Sequence, residues 1–179
     1  MGAALGFTTS SNAAINITAQ EISGDVVFQY SGTVNSTGFV VDGGFTGSRV
    51  IPSIGEISNI FTNPRLHSTD LVVTGSLGGP VSTSATFSTG DAFIIDNTYI
   101  GVGSGYISGS PLAGTITFGS TTLAAMGISG ETVTWNWGSG GSADFAVFNV
   151  IPEPSAFAAI FGVSALAVAL RRRPRKKQG

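Results

Sequence analysis

Short runs of β-branched and aromatic residues, each bounded by turn-forming residues, dominate the chain from Ala14 to Val150. Alternation such as Ile15-Asn16-Ile17-Thr18 has a period of two, which is the period of a half-buried strand. Gly, Pro, Asn, Asp or Ser separates the runs, and this arrangement favours an all-β body, an antiparallel β-sandwich or jelly roll, over βαβ units. Eight strands are predicted, around Ile15–Thr18, Val26–Tyr30, Gly38–Val41, Leu71–Val73, Ala92–Ile95, Gly114–Phe118, Thr132–Trp137 and Phe145–Phe148.

The composition is typical of an exported β-protein that is stabilised by packing alone. The 179-residue chain has no cysteine, which excludes disulfides, cysteine nucleophiles and cysteine metal ligands. Its 26 glycines suit tight turns, and only 10% of its residues are charged, against about 25% in a typical soluble domain. One helix-like stretch, Thr121–Met126, is predicted to end at Gly127, because glycine commonly terminates helices.

Charge is distributed unevenly along the chain. Residues 1–150 carry nine acidic and two basic side chains, a net charge of −7. Nucleic-acid binding requires Lys and Arg to replace the phosphate counterions, so this acidic body argues against a nucleic-acid partner. The C-terminal end holds six cations: Arg171, Arg172, Arg173, Arg175, Lys176 and Lys177.

An uncharged apolar segment, Ser155–Leu170, precedes this basic cluster. As a helix it would cover about 24 Å, slightly less than the hydrocarbon core of about 30 Å, and arginine side chains that reach the interface make up the difference. A buried helix of a soluble domain would carry a polar stripe, which this segment lacks. We therefore predict a single C-terminal transmembrane helix over 155–170. The basic end, 171–177, is expected in the cytoplasm and the body on the other side of the inner membrane.

A proline-rich motif, Ile151-Pro152-Glu153-Pro154-Ser155, separates the body from the apolar segment. The prolines prevent the helix from extending backwards and keep the motif extended. The Pro-Glu-Pro triplet, the short apolar helix and the basic cluster together resemble the PEP-CTERM sorting signal, which is also catalogued as an ice-binding-protein C-terminal domain. This resemblance implies processing at Pro152, Glu153, Pro154 and Ser155 by exosortase, a membrane-embedded cysteine protease of bacteria that make exopolysaccharide.

The end of the body carries a second resemblance. The segments Tyr106–Leu112, Leu123–Ile128 and Thr132–Ser139, followed by Ala143–Val147, are similar to the closing half of many PEP-CTERM passenger domains. That family has no assigned biochemical activity. The resemblance therefore implies a class of exported protein and leaves the ligand open.

The N-terminal residues 1–14 have the small, apolar character of the end of a signal peptide. Ser11-Asn12-Ala13 is close to a signal-peptidase cleavage motif, but no basic region or full apolar core precedes it. We predict a truncated signal-peptide remnant, left by a start codon assigned too late and cleaved near Ala13 or Ala14. The alternative is a disordered leader.

Candidate catalytic and metal-binding residues are few. The single histidine, His67, is followed by Asp70, but no G-x-S-x-G motif accompanies them, and a surface-loop histidine is the simpler interpretation. Asp91, Asp96 and Asn97 offer oxygen ligands for Ca²⁺ but lack the D-x-D-x-D-G pattern, which favours turn residues that cap a strand. We predict no catalytic residue, no metal and no cofactor.

Trp135 and Trp137 lie on one face of a predicted strand. If that face is buried, they belong to the core; if it is exposed, they form a ligand face suited to stacking on sugar rings. The pairs Thr115/Thr117 and Thr132/Thr134 have the T-x-T spacing of flat ice-binding faces, but no regular repeat extends them.

The expected organisation has three parts: a signal remnant (1–14), an extracytoplasmic β-sandwich (15–150) and a PEP-CTERM sorting tail (151–179) with its motif at 152–154. The expected function is that of a non-catalytic structural or adhesive protein of the cell surface or extracellular matrix, with exosortase and the inner membrane as partners. The alternative is an exopolysaccharide-binding module that uses Trp135 and Trp137. A secreted hydrolase and an ice-binding protein are less favoured.

Overall fold

The computed structural model describes residues 14–43, 47–59 and 65–152. These residues form fourteen β-strands and two short 3₁₀ turns, Pro52–Ile54 and Gly140–Ser142, with no α-helix among them. The strands are β1 (Ala14–Ile22), β2 (Asp25–Thr33), β3 (Val40–Asp42), β4 (Arg49–Ile51), β5 (Glu56–Asn59), β6 (Arg65–Ser68), β7 (Leu71–Thr74), β8 (Thr83–Ser84), β9 (Phe87–Gly90), β10 (Phe93–Ile95), β11 (Ile100–Gly103), β12 (Pro111–Phe118), β13 (Val133–Trp137) and β14 (Asp144–Ile151).

The strands form two seven-stranded sheets. Sheet A has the order β7-β13-β14-β1-β2-β12-β9, and sheet B has the order β3-β6-β11-β10-β5-β4-β8. The described body is all-β and sandwich-like, because apolar side chains of both sheets belong to one buried cluster. Sheet A contains the longest strands, of eight or nine residues, whereas no strand of sheet B exceeds four residues.

One strand pair departs from the antiparallel pattern. β1 and β14 pair in parallel at the centre of sheet A, with Ile17 opposite Phe148. The other pairs of named strands are antiparallel, as the sequence predicted. A tight hairpin cannot join parallel neighbours, so such a pair needs a long connection. Here the whole intervening body connects the two strands.

Alternate side chains of the long strands point into the core. Phe28 of β2 lies at its centre, edge-on to Phe118 at 5.5 Å between ring centroids and stacked on Phe148 at 5.7 Å. Burying a side chain of this size stabilises the fold by about 1.5–3 kcal/mol. Sheet B contributes a matching layer of fully buried residues: Val50, Ile57, Phe93, Ile95, Ile100 and Val102.

The predicted single helical turn is confirmed between Thr122 and Gly127. The Thr122 hydroxyl accepts a hydrogen bond from Ala125 N at 3.0 Å, in the manner of an N-cap. At the other end, Gly127 has φ +74° and its N–H bonds Ala124 O at 3.0 Å, while Ile128 N bonds Leu123 O at 2.9 Å. This double hydrogen bond is a Schellman motif, and its left-handed position suits glycine.

All eight predicted runs lie in or overlap strands, whereas six strands were not predicted: β4, β5, β6, β8, β9 and β11. No helix long and apolar enough to cross a membrane occurs within 14–43, 47–59 or 65–152. The predicted transmembrane helix 155–170, the basic end 171–177 and the signal remnant up to residue 13 lie outside the described residues.

Candidate functional site

The predicted processing motif begins where the body ends. β14 ends at Ile151, which is 42% exposed, and Pro152 follows as an exposed residue. Glu153, Pro154 and Ser155 lie outside the described residues. The chain therefore leaves the sheet at an accessible position, directly before the motif.

The prediction of a possible ligand face at Trp135 and Trp137 is wrong. Trp135 is 0% exposed and Trp137 is 3% exposed, and both side chains belong to the buried cluster between the sheets. β13 turns this face inward because it lies between β7 and β14, whose inward side chains include Val73 and Ala146. The alternative interpretation, that the pair is core, is confirmed. Neither ring can stack on a sugar.

His67 lies in a strand and not in the expected surface loop. It pairs with Gly101 of β11 and Val40 of β3, and its ring meets that of Tyr99 edge-on at 6.3 Å. Its Nδ1 atom is buried and has no hydrogen-bond partner in the structure. In a Ser-His-Asp triad a carboxylate orients the histidine ring, and no such partner of His67 is found among the described residues.

The acidic residues singled out as possible Ca²⁺ ligands accept hydrogen bonds from nearby groups of the fold. Asp96 Oδ1 accepts hydrogen bonds from Thr98 Oγ1 at 2.7 Å and Tyr99 N at 2.9 Å, an Asx turn between β10 and β11. Asp91 Oδ2 accepts one from Ala113 N at 2.8 Å. Within the part of the chain that the structure describes, no group of three metal-ligating side chains occurs.

A buried polar network joins the two sheets. Asn59 of sheet B donates from Nδ2 to the Tyr30 hydroxyl of sheet A at 2.5 Å and to Thr89 O at 2.9 Å. The Tyr30 hydroxyl in turn donates to Asp91 O, and burial raises the pKa of Tyr30 to about 12. Gly114 lies opposite Tyr30, and a Cβ at this position would overlap the hydroxyl. These contacts link the two sheets through buried hydrogen bonds, and burial keeps the phenol protonated.

Asp144 is a second buried polar group, at the start of β14. It is 4% exposed, and its Oδ2 accepts a hydrogen bond from Asn35 N at 2.8 Å. Desolvation raises its pKa to about 6, although the backbone N–H groups of Asn35 and Phe145 favour the charged form. The carboxylate holds the turn after β2 against the last strand.

The outward face of sheet A carries a shallow depression of about 650 Å³. Six uncharged polar residues on four adjacent strands line it; we call them the polar face: Asn16 and Thr18 (β1), Gln29 and Ser31 (β2), Thr115 (β12) and Thr89 (β9). The ladders place Thr18, Gln29, Thr115 and Thr89 in one row, each opposite the next. Ile151 lies at one end of the depression.

The side chains of the polar face are not used in hydrogen bonds within the described part of the chain. None of the six makes a side-chain hydrogen bond to another described residue, and all are at least partly exposed. Two acidic side chains occur in the described β1, β2, β12 and β9: Asp25, the first residue of β2, accepts a hydrogen bond from Ser120 N at 2.8 Å, and Glu21, near the end of β1, accepts one from Leu123 N at 2.6 Å. The depression is thus uncharged, and among the described residues both these polar side chains and apolar groups such as Ala113 and Ile151 line it.

Sequence reasoning did not identify the polar face. Alternation in β1, β2 and β12 shows that Asn16, Thr18, Gln29, Ser31 and Thr115 face away from the core. It does not show that they are neighbours, because register across strands far apart in sequence is set by the fold. Comparison with known proteins found no matching family model, no matching curated protein and no matching solved structure.

Proposed function

We propose that the chain is an exported bacterial protein of the cell surface or extracellular matrix, sorted through a PEP-CTERM tail by exosortase. The observation that carries this proposal is the order of three parts: Pro152-Glu153-Pro154, the uncharged segment 155–170 and the basic end 171–177. As a transmembrane helix, 155–170 holds the precursor in the inner membrane, with the basic end in the cytoplasm. Cleavage at the motif then releases the body.

The junction between body and tail supports this proposal. The pairing of β14 with β1 ends at Ile151, opposite Gln20, so the last ladder is complete before the motif begins. Cleavage beyond Pro152 breaks none of the described strand pairs. The fold of the body therefore does not depend on the peptide bonds that the protease would cut.

The proposed role of the body is that of a non-catalytic β-sandwich with a structural or adhesive task. Its candidate reactive groups take part in structural contacts: His67 packs against Tyr99, Asp96 caps a turn, and Asp144 anchors Asn35. Trp135 and Trp137 do not provide a polysaccharide-binding surface, because both side chains are buried.

The mass of the mature protein, isolated from its native host with both termini resolved, tests the sorting proposal. We expect loss of the residues beyond the 152–155 region and recovery of the body outside the inner membrane. A Pro152→Ala/Pro154→Ala double variant should accumulate as uncut precursor in the membrane fraction. Glu131→Ala, which changes an exposed acid of the body, serves as the control and should be processed like the wild type.

An intact tail in the membrane fraction of the wild type would mean a permanent single-span anchor. That result would contradict processing by exosortase and leave the extracytoplasmic placement of the body unaffected.

A further inference from the structure

We propose that the polar face binds a neutral polysaccharide chain, which crosses β1, β2, β12 and β9 in the depression on sheet A. The inference gives the proposed adhesive role a partner, and it rests on that proposal for its setting outside the cell. The binding itself is a property of the body and can be tested without any assumption about the tail.

The dimensions of the polar face suit an extended ligand. Four neighbouring strands separated by about 4.8 Å give a row about 14 Å long from Thr18 to Thr89. Asn16, Ser31 and Ala113 form a second row beside it. The depression has a volume of about 650 Å³ and is open to solvent. It lies on the outer surface of the sheet and so can admit a polymer crossing the strands.

The hydrogen-bonding chemistry matches sugar hydroxyls. Each hydroxyl of Thr18, Ser31, Thr89 and Thr115 can donate and accept, and the amides of Asn16 and Gln29 offer both functions. Because these groups are not bonded to other described residues, a ligand need not displace an internal contact. Neutral polar groups are also cheaper to desolvate than charges when a ligand covers them.

Charge argues for a neutral polymer over an anionic one. The polar face has no cation, and residues 1–150 carry a net charge of −7. An anionic polysaccharide or a nucleic acid would require Lys or Arg to replace its counterions. Repulsion by the acidic body would further weaken its binding.

The residue types of the polar face argue against a protein partner. Cores of protein interfaces are enriched in aromatic residues, Met and Arg, and the only described residue of these types that lines the depression is Tyr30, which is almost fully buried. Ice is also disfavoured, because amide and hydroxyl side chains of different lengths surround a depression and do not form a flat array of one residue type. A neutral chain of sugar hydroxyls remains as the ligand whose chemistry fits.

Pull-down of the full chain, purified in a mild detergent, tests the inference. The probes are microcrystalline cellulose, insoluble β-1,3-glucan and agarose as neutral polymers, with alginate beads as the anionic one. We expect saturable binding to at least one neutral polymer and none to alginate. Gln29→Ala/Thr115→Ala, which removes two adjacent hydrogen-bonding groups, should weaken that binding about tenfold.

Two further variants separate binding from folding. Thr74→Ala removes an exposed hydroxyl from the same face of sheet A, three strands away from β1, and should bind within about twofold of the wild type. Gln29→Glu keeps the side-chain shape but adds a charge, and it too should weaken binding. All variants should unfold at the same urea concentration as the wild type, because the changed side chains lie outside the core.

Three results would overturn the inference: no binding to any of the neutral polymers, binding that the Gln29 and Thr115 variants leave unchanged, or inhibition of ice growth that depends on these residues without polysaccharide binding. Failure here is distinguishable from failure of the sorting proposal. Binding by a protein that keeps its tail contradicts sorting alone, whereas a processed protein that binds no polymer contradicts this inference alone.

Discussion

The outward faces of the two sheets use polar side chains in opposite ways. On sheet A, Gln29 and Ser31 are exposed and make no side-chain hydrogen bond to another described residue. On sheet B, Glu56 is only 3% exposed and receives hydrogen bonds from Arg49 Nε at 2.7 Å and Ser58 Oγ at 3.2 Å. One face presents its polar groups to solvent, and the other pairs them with one another.

Strand length accounts for this difference. β1, β2 and β12 have eight or nine residues each, so their backbone ladders are long and their outward side chains are not needed for cohesion. β4 and β5 have three and four residues, and the Arg49–Glu56 ion pair adds a side-chain link between these short neighbours. The outward polar side chains of sheet A can therefore remain exposed to solvent while the long strand ladders hold the sheet together.

The largest expected loss of stability distinguishes a substitution on the inward face of β13 from one on its outward face. Trp135→Ala should lower the free energy of unfolding by about 3–5 kcal/mol, because it leaves a cavity in the core shared by both sheets. Asn136→Ala, its exposed neighbour on β13, should change that energy by less than about 0.5 kcal/mol. Urea unfolding of the two variants measures both. Similar losses would contradict the inward orientation of Trp135.

A smaller difference in stability is expected between substitutions on the outward faces of the two sheets. Glu56→Ala removes a buried carboxylate to which Arg49 and Ser58 donate hydrogen bonds. We therefore expect the free energy of unfolding to fall by about 1–3 kcal/mol. Arg49 keeps partial access to water, which limits the loss. Gln29→Ala on sheet A should lose less than about 0.5 kcal/mol. Equal losses of unfolding free energy for the two variants, measured by urea unfolding, would contradict this difference between the outward faces.

The last expected effect is a pH dependence of stability caused by Asp144. Its pKa is raised by burial from 3.8 to about 6, so the folded state binds its proton more tightly than the unfolded state does. Stability contributed by the protonated carboxyl is therefore present at low pH and is lost as the pH rises from about 4 to about 6, by roughly 2 kcal/mol. Asp144→Asn cannot ionise and should lack this component.

Urea midpoints of the wild type and Asp144→Asn, compared at pH 4, 5, 6 and 7, measure this component as a difference. Other carboxyl groups titrate in both proteins and cancel in the comparison. Parallel curves over the whole range would show that Asp144 does not contribute, and a wild type that gains stability relative to the variant between pH 4 and 6 would reverse the sign.

The sequence predicted the strands of sheet A better than those of sheet B. β1, β2, β12, β13 and β14 alternate clearly between apolar and polar residues, which is why their existence and their inward faces could be predicted. β5 could not be found in this way: its residues Glu56, Ile57, Ser58 and Asn59 are all buried, and three of the four are polar. Burial of those polar groups depends on partners such as Arg49 and Tyr30, which come from other strands.

The sequence by itself determined the all-β class, the shared strand face of Trp135 and Trp137, and the glycine-terminated turn at Gly127, because each follows from local periodicity or backbone geometry. It also contains the three-part tail from which the sorting proposal was made. The tertiary structure decided the parallel pairing of β1 with β14 and the alignment of Thr18, Gln29, Thr115 and Thr89 in one row. These features depend on register between distant strands, and register is fixed only when both sheets pack on their common core.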